Sequence, residues 1–218
     1  MGWVWKSLNS SIGKKLVMAI TGVALMLFLI IHFAGNMFLY GGKSAFNGYV
    51  GILHLVKPLI RVIEVILAAV FIFHMFNGVR LWIENKIARP VQYAINGSRK
   101  NTTLFSRTAF ITGSLVFIFL VIHLKTIWYQ FNFLGEEQDL YEITVTWLRT
   151  WWYSALYFIA VILLGFHLDH GFQSAFQTFG WNHNKYFPFI KKLGTAYALI
   201  ITIGFASIPV YFYFFGGK

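Results

Sequence analysis

The chain has 218 residues, 58% of them hydrophobic and 20% aromatic, with only 11% charged, and its mean hydropathy is +0.65. That is too apolar for a soluble domain, and the apolar residues come in long runs, so the sequence reads as an integral membrane protein. The net charge of +11 gathers at the ends of those runs, which is membrane topology rather than a nucleic-acid-binding face. The absence of cysteine excludes disulfides, cysteine-ligated iron–sulfur clusters and Cys-x-x-Cys-His attachment chemistry.

Met1 to Lys15 is short and basic. The run after it is longer than a signal peptide's apolar core and lacks a small-x-small exit, so this first segment is expected to stay in the membrane. A helix needs ~20 apolar residues to span the hydrocarbon. Five stretches qualify, about 16–40, 60–84, 104–131, 151–177 and 190–215, so the expected fold is an all-α, five-helix membrane bundle forming one domain over residues 1–218. Pro58 and Glu84-Asn85-Lys86 bracket the second stretch, and the fourth opens on Trp151-Trp152-Tyr153, an interfacial aromatic cluster. The fifth follows Pro188 and carries Pro209, a kink that neighbouring helices can satisfy. Twelve Lys and Arg fall on the side that holds the N-terminus and six on the other, which also collects Glu136, Glu137, Asp139 and Glu142. The N-terminus is therefore expected in the cytoplasm and the C-terminus outside. The inner loop at 85–103, with Pro90 and Asn96-Gly97, reads as a solvated connection able to meet a partner. The acidic outer loop at 133–149 has room for a short surface helix.

Two of these stretches repeat a pattern. Ile20-Thr21-Gly22 running to His32 returns as Ile111-Thr112-Gly113 running to His123, with seven of thirteen positions identical. Phe73-His74 with Gly78 returns as Phe166-His167 with Gly171. The first and third helices run outward and carry His32 and His123 past their midpoints. The second and fourth run inward and carry His74 and His167 past theirs. At ~1.5 Å per residue the four histidines fall into two layers on the order of 10–15 Å apart. Each layer holds two histidines from different helices, the requirement for the two axial ligands of one planar macrocycle, so the pattern points to two haems. Gly35, Gly78 and Gly171 lie three or four residues after their histidines and are expected to make room beside the imidazole. Thr21 and Thr112, three turns before His32 and His123 on the same face, would offer a hydroxyl to the inner haem's propionates or allow close helix contact. The residues four before each histidine, Phe28, Val70, Phe119 and Leu163, are apolar, so each Nδ1–H is expected to bond a backbone carbonyl and leave Nε2 for iron. A single membrane histidine is as well explained by an interhelical hydrogen bond. A metal or proton transporter using His167-x-x-His170 is the rival from a different class, although the spans hold little carboxylate beyond Glu64 and Asp169.

Further stretches resemble a known family. They are Ser11-Ile12-Gly13-Lys14-Lys15 leading into the Thr21-Gly22 helix, His32-Phe33-Ala34-Gly35-Asn36, and His167-Leu168-Asp169-His170-Gly171-Phe172-Gln173-Ser174-Ala175-Phe176-Gln177. With them go Asn182-His183-Asn184-Lys185-Tyr186 and the closing Ile208-Pro209. Over nearly the whole chain they are similar to the five-helix dihaem cytochrome b membrane anchor of succinate:quinone oxidoreductases, in particular the type paired with menaquinone. The resemblance implies a multi-pass subunit of the inner (cytoplasmic) membrane, surrounded by lipid and open to a higher oligomer of the complex. It implies two haems b, an outer one ligated by His32 and His123 and an inner one by His74 and His167. It further implies a cytoplasmic flavoprotein subunit that handles succinate or fumarate and an iron–sulfur subunit, docked on Arg89, Arg99, Lys100 and His183, with no flavin or dicarboxylate site in this chain. Moving one charge fully across the membrane is worth ~2.3 kcal/mol per 100 mV, so proton-motive force can help drive succinate oxidation by a low-potential menaquinone. At the outer end, His54, Lys57, Arg61 and Glu64 are the candidates for a quinone site. His170, one turn beyond His167, would bond a propionate or cap its helix. Gly165 stands where fumarate-reducing relatives can carry a glutamate, so no proton path through that position is expected. The rival within the same broad class is the dihaem cytochrome b of a hydrogenase or formate dehydrogenase.

Overall fold

The computed structural model describes residues 2–88, 103–134 and 139–216. Arg89, Pro90, Asn96-Gly97, Arg99, Lys100, Glu136, Glu137 and Lys218 lie outside the described residues. A short amphipathic helix α1 (Trp3–Asn9) leads into α2 (Ser11–Met37), whose first turn is capped by Ser10, its side chain accepting from the Gly13 N–H at 3.0 Å. That cap satisfies one of the N–H groups a helix start leaves free. After a 3-10 turn at Phe38–Gly41, Gly42 takes φ of 79°, a left-handed conformation open to glycine, and starts α3 (Gly42–Leu55). Helix α4 (Lys57–Ile87) has Pro58 in its first turn, where no N–H is needed. Helix α5 (Leu104–His123), capped by Thr103, continues beyond His123 as π-helical turns over Leu124–Leu134. The loop after it carries α6 (Leu140–Leu148), capped by Asp139, and then come α7 (Trp151–Thr178) and α8 (Phe187–Phe214).

Five helical segments are long and apolar enough to cross a membrane: Ser11–Leu55, Lys57–Ile87, Leu104–Leu134, Trp151–Thr178 and Phe187–Phe214. Among the described residues there is no strand. The expected all-α bundle is present, and α3 is an addition that lies between the first expected stretch, about 16–40, and the second, about 60–84.

Helix α7 is the hub, packing against α8, α5 and α2, while α4 leans on α2 and only lightly on α5. Thus α2 stands across the bundle from α5, and α4 across from α7. Small residues set the closest crossings. A Cβ on Gly165 would run into Thr202, one on Gly194 into Phe172, and one on Gly204 into the Phe33 ring. Close backbone approach of this kind drives helix association in lipid, where the hydrophobic effect between helices is absent. The apolar core follows the same helices. Met26, Leu168, Ala198 and Ile201 form one cluster, and Leu39, Val145, Leu148, Tyr153 and Phe212 form another toward the end of the bundle where α3 and α6 lie.

Polar ties lock α7 to α8 and α8 to α2. The buried Asp169 carboxylate accepts from Thr195 Oγ1 at 2.6 Å and Gln173 Nε2 at 3.0 Å, and Tyr197 donates to Met26 O at 2.9 Å. At the N-terminal end, buried Lys14 pairs with Glu84, which also accepts from Arg80 at 3.0 Å. Asn77, the one buried residue of α4, donates to Lys14 O at 2.6 Å. Along much of its length α4 also presents exposed apolar side chains, among them Val62, Ile66, Ile72 and Phe76, which is expected of a surface that meets lipid. Exposed Trp3, Trp5 and Trp181 at one end, and Trp151 and Trp152 at the other, suit the two membrane–water interfaces.

Candidate functional site

The diagonal arrangement of helices brings the four repeat histidines together in pairs. The rings of His32 on α2 and His123 on α5 have centroids 5.9 Å apart, and those of His74 on α4 and His167 on α7 are 6.2 Å apart. Both pairs lie nearly perpendicular, at 85° and 81°. His74 sits beside Thr21 and Gly22, ten or so residues before His32 on α2, and His167 sits beside Ala109 and Gly113, at the matching level of α5. With ~1.5 Å rise per residue, the two pairs are about 15 Å apart along the bundle.

Each imidazole is held differently. His167 Nδ1 lies 3.2 Å from Ala109 O, a backbone carbonyl on the facing helix. His74 Nδ1 is 3.2 Å from the Thr21 hydroxyl, which itself donates to Val17 O at 2.8 Å. His123 Nδ1 is 2.6 Å from the Tyr157 hydroxyl. His32 stacks on Phe28 at 5.2 Å, lies 5.7 Å from the Phe205 ring, and has Nε2 3.4 Å from the Asn36 amide. The expectation of a carbonyl for every Nδ1–H therefore fits His167, while at His74 and His123 hydroxyls from the neighbouring helices, Thr21 and Tyr157, lie against Nδ1.

The glycine expectations are corrected as well. A Cβ on Gly35 would meet the Tyr49 hydroxyl of α3 at 2.6 Å, so Gly35 admits Tyr49. Gly78 and Gly171 face the methyl ends of Met18 and Met26, at 3.3 and 3.4 Å. The glycines that lie against imidazoles are Gly22, with a Cβ position 3.4 Å from His74 Cε1, and Gly113, 2.9 Å from His167 Cε1. Thr21 reaches His74, whereas the buried Thr112 hydroxyl donates within its own helix, to Thr108 O at 3.1 Å and Ala109 O at 3.2 Å.

Of the four candidates at the other end, the structure joins Arg61 and Glu64, at 2.6 Å. It adds two residues that sequence reasoning missed: Trp128, whose indole N–H donates to Glu64 at 3.1 Å, and Asn132, which accepts from Arg61. Both lie on the π-helical turns after His123, and such turns are frequent at functional sites. His54 is exposed and packs its ring 5.7 Å from Phe131, and Lys57 is exposed at the start of α4. His170 is half-buried one turn after His167. His183 accepts from Lys185 N–H at 3.2 Å and borders an aromatic cavity of about 480 Å³ at the turn between α7 and α8, where Gly180 has φ of 84°.

The residues present fit a pair of macrocycles. Among the described residues no group of three or more His, Cys, Asp or Glu gathers at metal-binding spacing, and His167 with His170 gains no third ligand. Two imidazoles per site suit a metal whose other positions are filled by a ring system. Metal–imidazole bonds of about 2 Å on opposite sides of one ion put ring centroids about 6 Å apart, and both pairs stand at that separation.

The sequence model of the succinate dehydrogenase/fumarate reductase transmembrane subunit family matches twice, over residues 15–95 and 85–207. No curated protein matches the chain, and no solved structure does. Family membership makes the protein the multi-pass membrane subunit of an oxidoreductase complex, with that complex's catalytic subunits as partners. The two matches together span most of the chain, which therefore belongs to the succinate dehydrogenase/fumarate reductase transmembrane subunit family.

Proposed function

We propose that this subunit passes electrons between an iron–sulfur subunit on the cytoplasmic side and a membrane quinone, menaquinone, and that it holds two haems b to do so. The observation that carries the reading is the pair of facing histidines at each of two depths, at 5.9 and 6.2 Å. When bound, each haem supplies a one-electron relay inside the hydrocarbon. His74 and His167 hold the inner one, with Thr21 and Ala109 O orienting their Nδ1 atoms and Gly22 and Gly113 leaving the rings room. His32 and His123 hold the outer one, with Phe28, Phe119 and Phe205 walling off lipid and Tyr157 orienting His123. The N-terminus lies in the cytoplasm, following the excess of Lys and Arg on that side.

The Arg61–Glu64–Trp128–Asn132 group is the quinone site. Glu64 lies ten residues before His74 on α4, about 15 Å at ~1.5 Å per residue, which puts it near the level of the outer histidines, and it offers a carboxylate able to take a proton from a quinol hydroxyl. Arg61 and Trp128, which both donate to Glu64, supply donors for a quinone carbonyl.

A reduced-minus-oxidised optical spectrum of the purified protein, with haem b quantified against chain, tests the reading. Two low-spin haems per chain are expected. His74→Ala or His167→Ala removes one spectral component, and His32→Ala or His123→Ala removes the other. Folded protein made with haem available but free of it would overturn the proposal.

A further inference from the structure

The two proposed sites differ in what the axial histidines lean on, and the outer one has a feature with no counterpart at the inner. His123 Nδ1 meets the Tyr157 phenol at 2.6 Å, and the same oxygen accepts a hydrogen bond from Tyr153 at 2.8 Å. Tyr153 is fully buried, and its oxygen also lies 2.5 Å from Thr126 Oγ1, whose hydroxyl reaches Ile122 O at 2.8 Å. The group is rigid. Tyr153 and Tyr157 are one turn apart on α7 with ring centroids 4.6 Å apart, and Phe119 sets its edge against Tyr157 at 4.7 Å. A histidine that gives Nε2 to iron keeps its proton on Nδ1 and must donate it, and the Tyr157 oxygen is where that proton points. An acceptor on Nδ1–H raises the basicity of the ligating nitrogen.

Resting on the two-haem reading, we propose that Tyr157 is the positioning residue that sets the reduction potential of the outer haem. It accepts from His123, and Tyr153 tempers it by donating to the same oxygen. The two tyrosines therefore act with opposite sign. Tyr157→Phe removes the acceptor, leaves His123 a poorer donor to iron, favours the reduced form and raises the midpoint. Tyr153→Phe removes a donor that competes for the Tyr157 oxygen, makes that oxygen the better acceptor for His123 and lowers the midpoint. The expected change for Tyr157→Phe is about tenfold in the reduction equilibrium, or about 59 mV for one electron, with a smaller change for Tyr153→Phe.

Potentiometric titration of the purified two-haem protein reads both effects, the outer component being the one that His32→Ala removes. Electron paramagnetic resonance of the oxidised protein adds the orientation of the His123 ring. Opposite shifts of the outer midpoint, with the inner midpoint unmoved, support the proposal. An unmoved outer midpoint in Tyr157→Phe, or shifts of the same sign in the two variants, overturns it. If Tyr157→Phe sheds the outer haem, Tyr153→Phe decides alone: a lowered midpoint supports the proposal and an unchanged one overturns it. A parent protein without haem would instead overturn the reading on which this rests.

Discussion

Gly22 and Gly113 occupy the same place in the repeat, yet the structure separates them, and that difference can be measured. A Cβ at Gly113 would stand 2.9 Å from His167 Cε1 and 3.3 Å from Nδ1, roughly 0.5 Å short of an ordinary carbon–carbon contact. The His167 ring is tethered to Ala109 O at 3.2 Å, already at the long end of an N–H···O bond. Retreat by about 0.5 Å breaks that bond, a net loss of about 0.5–1.5 kcal/mol. For a metal-bound imidazole, loss of the orienting partner weakens binding by about 10–100-fold. At Gly22 the nearest ring atom would be 3.4 Å away and the next 3.8 Å, which is ordinary contact. Replacement of either glycine by alanine also stabilises its helix by about 1 kcal/mol. Gly113→Ala is therefore expected to weaken the inner haem about 10–100-fold while the protein stays folded, and Gly22→Ala to retain both haems and melt slightly higher. Haem content, the optical difference spectrum and thermal unfolding in detergent read all three quantities. Full inner-haem occupancy in Gly113→Ala, or its loss from Gly22→Ala alone, would refute the steric reasoning.

Gly165→Val should destabilise the α7–α8 crossing by about 1–3 kcal/mol, because even a Cβ there collides with Thr202; an unchanged unfolding temperature would show that the two helices separate freely. Glu64→Gln should cut quinone turnover by about 100-fold or more and leave both haem components in place, while a variant with parental turnover would remove Glu64 from the quinone site. Partial burial works to raise the Asp139 carboxyl, but hydrogen bonds from Lys43 and the Glu142 N–H outweigh it and hold the group below its ordinary value. A depressed folded-state value stabilises above the unfolded carboxylate pKa of about 3.9 and loses that contribution as pH falls through the lower value. Asp139→Asn should therefore lessen the fall in unfolding temperature over that acid range, and an identical pH profile in the two proteins would argue against the latch between α3 and the cap of α6.

The fold was legible because membrane spans are written in composition. Long apolar runs ended by lysines, prolines and tryptophans place helices with little help from tertiary context. The pairing of histidines was legible too, since alternating helix direction turns sequence position into depth. What the sequence concealed is sideways information. Nothing in the spacing says that Thr21 and Tyr157 reach imidazoles, because that depends on which helices stand side by side. The glycine expectation failed for the same reason. Spacing put Gly35, Gly78 and Gly171 on the histidines' own faces, but the crowding comes from the neighbouring helix, where Gly22 and Gly113 lie. A signal for Tyr157 did exist: Tyr153 and Tyr157 are two hydroxyls one turn apart in an apolar helix, and hydroxyls in lipid require partners. The π-helical turns that bring Trp128 and Asn132 to Glu64 and Arg61 had no sequence signature that periodicity could detect.

The repeat explains why two sites form and why each needs both halves. One copy is a pair of antiparallel helices, α2 with α4 or α5 with α7, and its two histidines lie about 15 Å apart along the axis. Such a pair can hold neither metal alone, since each site requires two imidazoles about 6 Å apart. Within a copy, the first helix instead braces the second. Thr21 and Gly22 of α2 meet His74 of α4, and Ala109 and Gly113 of α5 meet His167 of α7. Between copies, equivalent residues face each other across the bundle, His32 with His123 and His74 with His167. A repeated hairpin thus creates two ligand pairs at once and keeps the supports of His74, His123 and His167 inside their own copies, while His32 leans on Phe28 of its own helix and on Phe205 of α8. The copies are not equal neighbours, for α2 packs closely on α7 while α4 and α5 meet mainly through two aromatic stacks, Phe71 on Phe117 and Trp82 on Phe110. Trp82→Ala should therefore loosen α4 against α5 and release haem more readily than an alanine at exposed, lipid-facing Ile72. Equal haem retention in the two variants would mean that the Trp82 stack does not hold α4 in place.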